Sequence, residues 1–354
     1  MPISPPVPFP MVDPAPRRKR SARFAEIALA AGVSASTVDR VLNERGSVSD
    51  TARRKVIEAA RTLGIPRVLP SVAHGVLRFD VVLGYERDND YYRNLDAAVQ
   101  RYAQLLGSRI AVHRHHWPYE QEAEMLAFIQ RPPYKRHGLL IAAADTPAIR
   151  AALVEQQRLG VPVVTVTSDI SGLEGRQYTG IDNRLAGCTA AYLLGKMVNG
   201  PGRVVLMATS MSWLAHVERM DGFVSVLRQR YPHLVPEPPI EHLDDEARCR
   251  ASMRQALRAD GPVVGIYNTG VASAGIVSAL SGSGLPRPAW ITHEATAEHQ
   301  RLMQEGWLDL VLDQDPDAQV LAGLQSLMHA CGEIDGPLPG PTRFRIETPE
   351  NPSL

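Results

Sequence analysis

From Val76 to the C-terminal region, short apolar runs alternate with amphipathic stretches. VLRFDVVLGY is followed by YYRNLDAAVQRYAQLLG, RIAVHRHHW by EAEMLAFIQ, and HGLLIAAA by PAIRAALVEQQRLG, before VPVVTVT. Runs this short and apolar suit strands buried on both faces, and the stretches between them carry helical periodicity. A second series opens near Asp182 with LAGCTAAYLLGKMV and runs through RVVLMAT, HVERMDGFVSVLRQRY, PPIEHL, EARCRASMRQALR, VVGIYNT and SAGIVSALSGSG to AWITHE. Repeated βα units predict parallel sheets with helices on both faces, and two such series predict two α/β lobes. No short-period solenoid repeat is present.

The chain ahead of Val76 is of another kind. Residues 1–21 carry seven prolines and the basic run Arg17-Arg18-Lys19-Arg20, which reads as a disordered basic arm. A short helix is expected from Phe24 to Ala31, stopped at Gly32. Ser34 is a candidate N-cap for a second helix with Val38, Val41 and Leu42 on one face. A third is expected from Ser49-Asp50 to Leu63, with Val56, Ile57, Ala60 and Leu63 inward and Gly64 ending it. Three short helices with a glycine turn between the first two form the helix-turn-helix pattern. Residues 65–75, broken by Pro66 and Pro70, read as a linker.

The charges divide along the same boundary. The chain is neutral overall, with 38 Lys/Arg and 38 Asp/Glu, but residues 1–67 hold 12 and 6, a net of 12 − 6 = +6. A basic head on an acidic body points to a polyanionic partner. Cys188, Cys249 and Cys331 show no CxxC spacing and read as free thiols of a reducing compartment. No run approaches a membrane span, and no apolar segment follows the basic run as a secretory signal would require. The expected location is the cytoplasm.

Residues Gly32 to Gly64, GVSASTVDRVLNERGSVSDTARRKVIEAARTLG, resemble the DNA-binding head of the lactose-repressor (LacI/GalR) family through V-S-x-S-T-V-x-R-V-L-N, the later V-S and the closing A-x-x-L-G. The resemblance implies a recognition helix starting at Ser34, with Ala35, Ser36 and Arg40 towards base edges and Arg40 suited to a bidentate guanine contact. Ser34, Thr37 and Asn43 suit phosphate contacts. Asp39 departs from the family's usual small hydroxyl; it could orient Arg40 or accept from a cytosine amino group. Pro70, directly after Leu69, departs from the family's hinge helix.

The remainder resembles the periplasmic sugar-binding-protein fold that serves this family as an effector domain. The resemblance is carried by Asn89 to Tyr92, TVTSDI, YTGIDNRLAG, HVERMDGF, IYNTG, THE and DQDP, all at strand ends, where open α/β sheets bind ligands. It implies a 22–64 DNA-binding domain, a 65–75 hinge and a 76–354 effector domain. Lobe 1 would hold about 76–181 and 315–334, and lobe 2 about 182–313 and 342–354. Candidate ligand contacts are Asn89, Tyr91, Tyr92, Asp169, Arg219, Asn268, Glu294 and Gln314. Tyr91 or Tyr92 could instead close the core, Arg219 could pair with Glu218 or Asp221, and Gln314 could cap the following helix. Asp182-Asn183 reads as a helix cap. Many relatives carry Asp shortly after the Asn268 strand, where this chain has Gly270-Val271.

One guanidinium beside carboxylates and amides suits the hydroxyls of a neutral sugar or polyol. A phosphosugar would need several cations, and a purine paired aromatics on opposite walls; Arg93 or Arg176 facing the cleft would admit an acidic sugar. His113 and His115 share a strand face, with His116 and Trp117 beside them, but no Cys or carboxylate completes a closed site nearby, so no metal is expected, nor any cofactor. No nucleophile elbow or HExxH helix points to an enzyme. The favoured class is a ligand-controlled repressor, a homodimer on a pseudo-palindromic operator, with no membrane association. A solute-binding transport component and a sugar-processing enzyme are the alternatives that share the large-domain fold.

Overall fold

The computed structural model describes residues 20–43, 45, 47–65, 76–85, 89–106, 109–175 and 177–352. The expected linker from residue 66, the arm before Arg20 and Arg176 lie outside them. The chain divides into two compact units, 1–74 and 75–354.

The first unit holds α1 (Arg20–Ala31), α2 (Ala35–Leu42) and α3 (Asp50–Thr62). Helix α1 starts at Arg20 rather than near Phe24, because Arg20 to Arg23 contain neither Pro nor Gly to hold the chain out of it. Gly32 takes a φ of 63°, the left-handed turn that releases the chain into α2. The Ser34 side chain accepts the Thr37 amide at 3.1 Å, and Ser49 accepts Ala52 at 3.3 Å, so both following helices start on serine caps. Ile27, Val38, Val41, Val56, Ile57 and Ala60 are fully buried together. Leu63, expected inward, is 41% exposed: it is the C-cap residue of α3, where the helical face is lost.

The second unit begins with β1 (Leu77–Leu83), α4 (Asp90–Leu105), β2 (Ile110–His116), α5 (Glu122–Gln130), β3 (Gly138–Ala142), α6 (Pro147–Arg158) and β4 (Val163–Thr165). Their strands form a parallel sheet in the order β2-β1-β3-β4, here called lobe 1. Strand β4 is shorter than VPVVTVT suggested, because Thr167 turns the chain with a φ of 66°. There follow α7 (Asn183–Met197), β5 (Gly202–Ala208), α8 (Leu214–Arg230), β6 (Leu234–Pro236), β7 (Ile240–Glu241), α9 (Glu246–Arg258), β8 (Val263–Asn268), α10 (Ser273–Ser281), β9 (Ala289–His293), α11 (Ala297–Gln304) and β10 (Leu310–Asp313). Helix α12 (Pro316–Ala330) then returns to lobe 1, where Leu327 packs over Gly138 and Leu140 over Gly323. Strand β11 (Arg345–Glu347) comes back to pair antiparallel with β10. The second sheet runs β11-β10-β9-β8-β5-β6, with β7 also on β5, and defines lobe 2. PPIEHL yields only the two-residue β7, since prolines confine pairing here to short edge strands.

Alternation along lobe 2 strands builds two apolar layers. Val204, Leu206, Tyr267, Ile291 and Leu312 meet Ala190, Leu194 and Phe223 of α7 and α8. Val205, Met207, Ile266, Trp290 and Val311 meet Cys249, Met253, Ile276 and Leu302 of α9, α10 and α11. Two glycines bring α7 and α8 into backbone contact: a Cβ on Gly187 would lie 2.0 Å from the Arg219 carbonyl oxygen, and one on Gly222 would lie 2.1 Å from that of Arg184. That approach sets Arg219 beside the start of α7.

Candidate ligand cleft and nucleic-acid face

The carboxyl ends of the strands of both lobes converge on one cavity. Arg219 lies at its centre, 2% exposed. Its Nε donates to Asn183 Oδ1 at 2.8 Å, and its Nη1 stands 3.6 Å from Glu294 Oε1. It thus reaches Asn183 on α7 and Glu294 after β9. Asn183 in turn donates to the Tyr178 hydroxyl at 2.9 Å, while Asp182 caps α7 by accepting the Leu185 amide at 2.8 Å. Glu294 follows β9 with a φ of 70°, and Gln314 Nε2 donates to its Oε1 at 2.5 Å. Gln314 does not cap α12: Asp315 does, accepting the Ala318 amide at 3.0 Å. Burial pushes the Glu294 carboxyl up to about 8, outweighing the Arg219 guanidinium that draws it down. Arg219 Nη2 and Glu294 Oε2 are both buried and have no hydrogen-bond partner among the described residues.

Asn89 caps α4, accepting the Tyr91 amide at 3.0 Å, and this cap turns Tyr91 and Tyr92 into the cavity wall. The Tyr91 hydroxyl is 2.8 Å from Thr167 Oγ1, and burial together with Glu294 raises its pKa well above the ordinary value. Tyr92 lies flat against Tyr85, centroids 4.4 Å apart at 4°, so that face of its ring is covered. Trp213, from lobe 2, meets Tyr85 and Tyr92 edge-on at 5.9 and 6.2 Å. Aromatics thus stand on both walls, but they touch edge to face and do not form two plates around a gap. His216 bonds Thr269 at 2.7 Å through Nδ1, and burial lowers its pKa well below the ordinary value.

The cavity lining includes Asn89, Tyr91, Tyr92, Arg219, Glu294 and Gln314 from the sequence candidates. Asp169 and Asn268 do not line it. Asp169 accepts the Thr165 hydroxyl at 2.6 Å behind the wall. Asn268, fully buried, bonds His242 Nε2 at 3.2 Å and folds back on Gly270 at 2.9 Å, fixing the loop after β8. Sequence reasoning passed over Tyr85, Trp213 and Asp244, which do line it. The signal for Asp244 was its place after a strand end, in EHLDDEA. Arg93 pairs with Asp90 on its own helix. Among the described residues, five non-glycine positions have a left-handed φ: Thr167, Leu243, Asp244, Glu294 and Asp315. All five follow strand ends facing the cleft or lie on the lobe crossovers, the places where strained backbone gathers at binding sites.

A carboxylate does stand beside the histidines of β2. Asp80, opposite His113 across the β1–β2 ladder, has Oδ1 3.8 Å from His113 Nδ1 and 3.5 Å from His115 Nε2. Register across strands, invisible in linear spacing, brings it there. Its oxygens already accept Arg136 Nε at 2.5 Å and the Tyr134 hydroxyl at 2.7 Å.

On the head, Ser34, Ala35, Ser36 and Arg40 are exposed on α2 and Thr37 is half-buried. Asp39 accepts Asn43 Nδ2 at 2.6 Å, so the side chain expected on phosphate is engaged with the one that departs from the pattern.

This combination of a helix-turn-helix head and a two-lobed binding domain defines a class: regulators that join a DNA-reading module to a small-molecule sensor. Residues 81–334 match the periplasmic binding protein domain family, and residues 24–65 match the bacterial regulatory proteins of the lacI family. The chain belongs to the periplasmic-binding-protein domain family and joins that domain to a lacI-family head. It is similar to the HTH-type transcriptional regulator DegA of Bacillus subtilis, 24% identical over 147 residues, 41% of this chain. That match spans 43% of the relative's length. The large unit shares its fold with GanP, a glucose-galactose binding protein from Geobacillus stearothermophilus, at TM-score 0.70 and 19% identity over 79% of this chain and 100% of that one. It likewise resembles an ABC transporter solute binding protein from Agrobacterium vitis with bound D-fucose, at TM-score 0.70 and 18% identity over 77% of this chain and 96% of that one. Among the described residues no helix is long and apolar enough to cross a membrane.

Proposed function

We infer that the chain is a sequence-specific transcriptional regulator, a repressor acting in the cytoplasm, whose affinity for operator DNA is set by a neutral sugar or polyol held between the two lobes. The observation that carries the effector half is the pair Arg219 Nη2 and Glu294 Oε2, a buried guanidinium donor and a buried carboxyl oxygen at the same cavity, neither with a hydrogen-bond partner among the described residues. Leaving such groups unsatisfied is costly, and vicinal hydroxyls satisfy both at once. Among the described residues that line the cavity Arg219 is the single Arg or Lys, which fits a neutral ligand better than a phosphosugar. The solved relatives named for glucose, galactose and fucose lend the same reading.

The DNA half rests on α2, which presents Ala35, Ser36 and Arg40 from a serine-capped N-terminus. One such head makes few base contacts, so the working form is a homodimer with two heads on a pseudo-palindromic operator. Ligand acts by favouring one arrangement of the lobes over another. The reading assigns no catalytic step and no cofactor.

Isothermal calorimetry of the full chain against neutral pentoses, hexoses and polyols tests the effector half. At least one should bind, and Arg219→Ala should abolish that binding. Binding that survives in Arg219→Ala would place the effector elsewhere.

A further inference from the structure

The cleft contains two cavities separated by a partition. The inner one, with Arg219 and Glu294, has a volume of about 40 Å³, and the outer one about 570 Å³. Tyr85, Asn89, Asp244 and Val271 line both and so form the wall between them. Asp244 is the residue that ties this wall together. It stands on lobe 2 between β7 and α9, and its Oδ1 accepts Thr209 Oγ1 at 2.7 Å and the Val271 amide at 3.1 Å, both from lobe 2. Its Oδ2 accepts the Tyr85 hydroxyl and Asn89 Nδ2, the latter at 3.0 Å, both from lobe 1. One carboxylate therefore holds each lobe by a different oxygen.

Three features show that the chain is arranged around this carboxylate. Leu243 and Asp244 both take a φ of 53°, a conformation that L side chains resist, and it projects Asp244 across the cleft. The imidazole of His242 accepts the Asp244 amide at 3.1 Å through Nδ1, which steadies that turn. Gly270 leaves the space the carboxylate occupies: a Cβ there would fall 2.7 Å from Asp244 Oδ1 and 2.6 Å from Thr209 Oγ1.

We propose that Asp244 is the gate of the inner cavity, a carboxylate that closes lobe 1 onto lobe 2 and releases Tyr85 and Asn89 to a ligand that presents hydrogen-bond donors in their place. The proposal rests on the reading of the cleft as the effector site. A solute passing between these shared residues towards Arg219 parts Oδ2 from Tyr85 and Asn89. A hydroxylated ligand can replace both donors and keep the carboxylate satisfied, whereas an apolar one leaves its Oδ2 without a donor.

The test compares the full chain with Asp244→Ala, Asp244→Asn and the lobe 1 variant Tyr85→Phe, first in buffer without sugar. Asparagine keeps the volume but sets an amide donor against the Asn89 donor, so it should open the partition while the fold is retained. Loss of the inter-lobe hydrogen bonds should raise the ratio of open to closed forms by on the order of tenfold. The readouts are a larger radius of gyration by X-ray scattering and faster acrylamide quenching of Trp213, which is 2% exposed at the partition, with Trp213→Phe as the fluorescence blank. Tyr85→Phe should move both in the same direction by less, which a purely local disturbance of the β7–α9 turn would not do. D-fucose and D-tagatose then serve as probes, and any that binds should associate faster with the Asp244 variants. Unchanged scattering and quenching in both Asp244 variants would overturn the gate. Failure of both probes to bind while the sugar-free arm shows opening counts against the sugar reading and leaves the gate standing.

Discussion

Arg219 Nη1 and Glu294 Oε1 stand 3.6 Å apart, and each side chain keeps a second polar atom, Nη2 and Oε2, without a hydrogen-bond partner among the described residues. The two residues come from different elements, α8 and the turn after β9, and Gln314 from the crossover into α12 holds Glu294 in place. A buried pair so incompletely bonded is poised to bind a ligand.

Arg219→Ala and Glu294→Ala should each weaken effector binding by on the order of 1–3 kcal/mol, the usual cost of leaving a buried polar group without its partner. DNA binding without sugar should persist in both. Calorimetry with whichever sugar binds the unaltered chain checks the first statement, and an electrophoretic shift the second. Equal affinity in both variants would remove these residues from the site.

Stability should depend on pH through Glu294. Its carboxyl is raised from an ordinary 4.5 to about 8 by burial. Between those values the unfolded chain has released a proton that the folded chain retains, so stability falls as pH rises and the loss is complete above about 8. His216 and His293 act in the opposite sense. Burial holds both well below 6.5, so the stability they contribute is lost as pH falls through that value. Thermal midpoints from pH 5 to 9 should decline on the alkaline side, and Glu294→Gln should flatten that decline only. A variant with the same alkaline slope as the unaltered chain contradicts the assignment.

Arg40→Ala should cost about 1–3 kcal/mol of discrimination at the base it contacts, with effector binding unchanged. Asp39→Asn should act differently. Removing an anion from the DNA-facing helix should raise affinity for all sequences alike and steepen the salt dependence. Binding assays on matched and mismatched duplexes separate the two effects. Unchanged discrimination in Arg40→Ala would remove it from base reading.

DNA affinity should also fall steeply with salt, given the net +6 of residues 1–67, and deleting residues 1–19 with Arg17, Arg18 and Lys19 should flatten that slope without altering sequence preference. An unaffected slope would mean that the arm takes no part in binding.

Much of this architecture was legible because it rests on local chemistry. Gly32, Ser34 and Ser49 mark turns and caps that need no tertiary context, and apolar runs such as LLIA announce a strand buried on both faces. Arg219, Glu294 and Gln314 were legible as polar residues at strand and helix ends. What local pattern cannot carry is which side of a loop faces the cavity. Asp169 turns to Thr165, and Asn268 turns to His242 and Gly270, because each finds a closer partner behind the wall. Asp244 was missed for the converse reason: its role depends on space left by Gly270, 26 residues further along the chain. Asp80 met the histidines through β1–β2 register. Strand β11 pairs only after the chain has crossed between lobes, so no alternation with a helix announces it.

The central claim is that one molecule reads DNA and that a sugar changes how well it does so. The most direct measurement is the affinity of the full chain for a duplex it selects from a random-sequence pool, with and without the sugar that calorimetry identifies. The account predicts that this sugar shifts the midpoint of the DNA titration, and that Arg219→Ala abolishes the shift while leaving the sugar-free midpoint in place. A sugar that binds the cleft and leaves the midpoint unmoved, or a chain that selects no duplex, would contradict it.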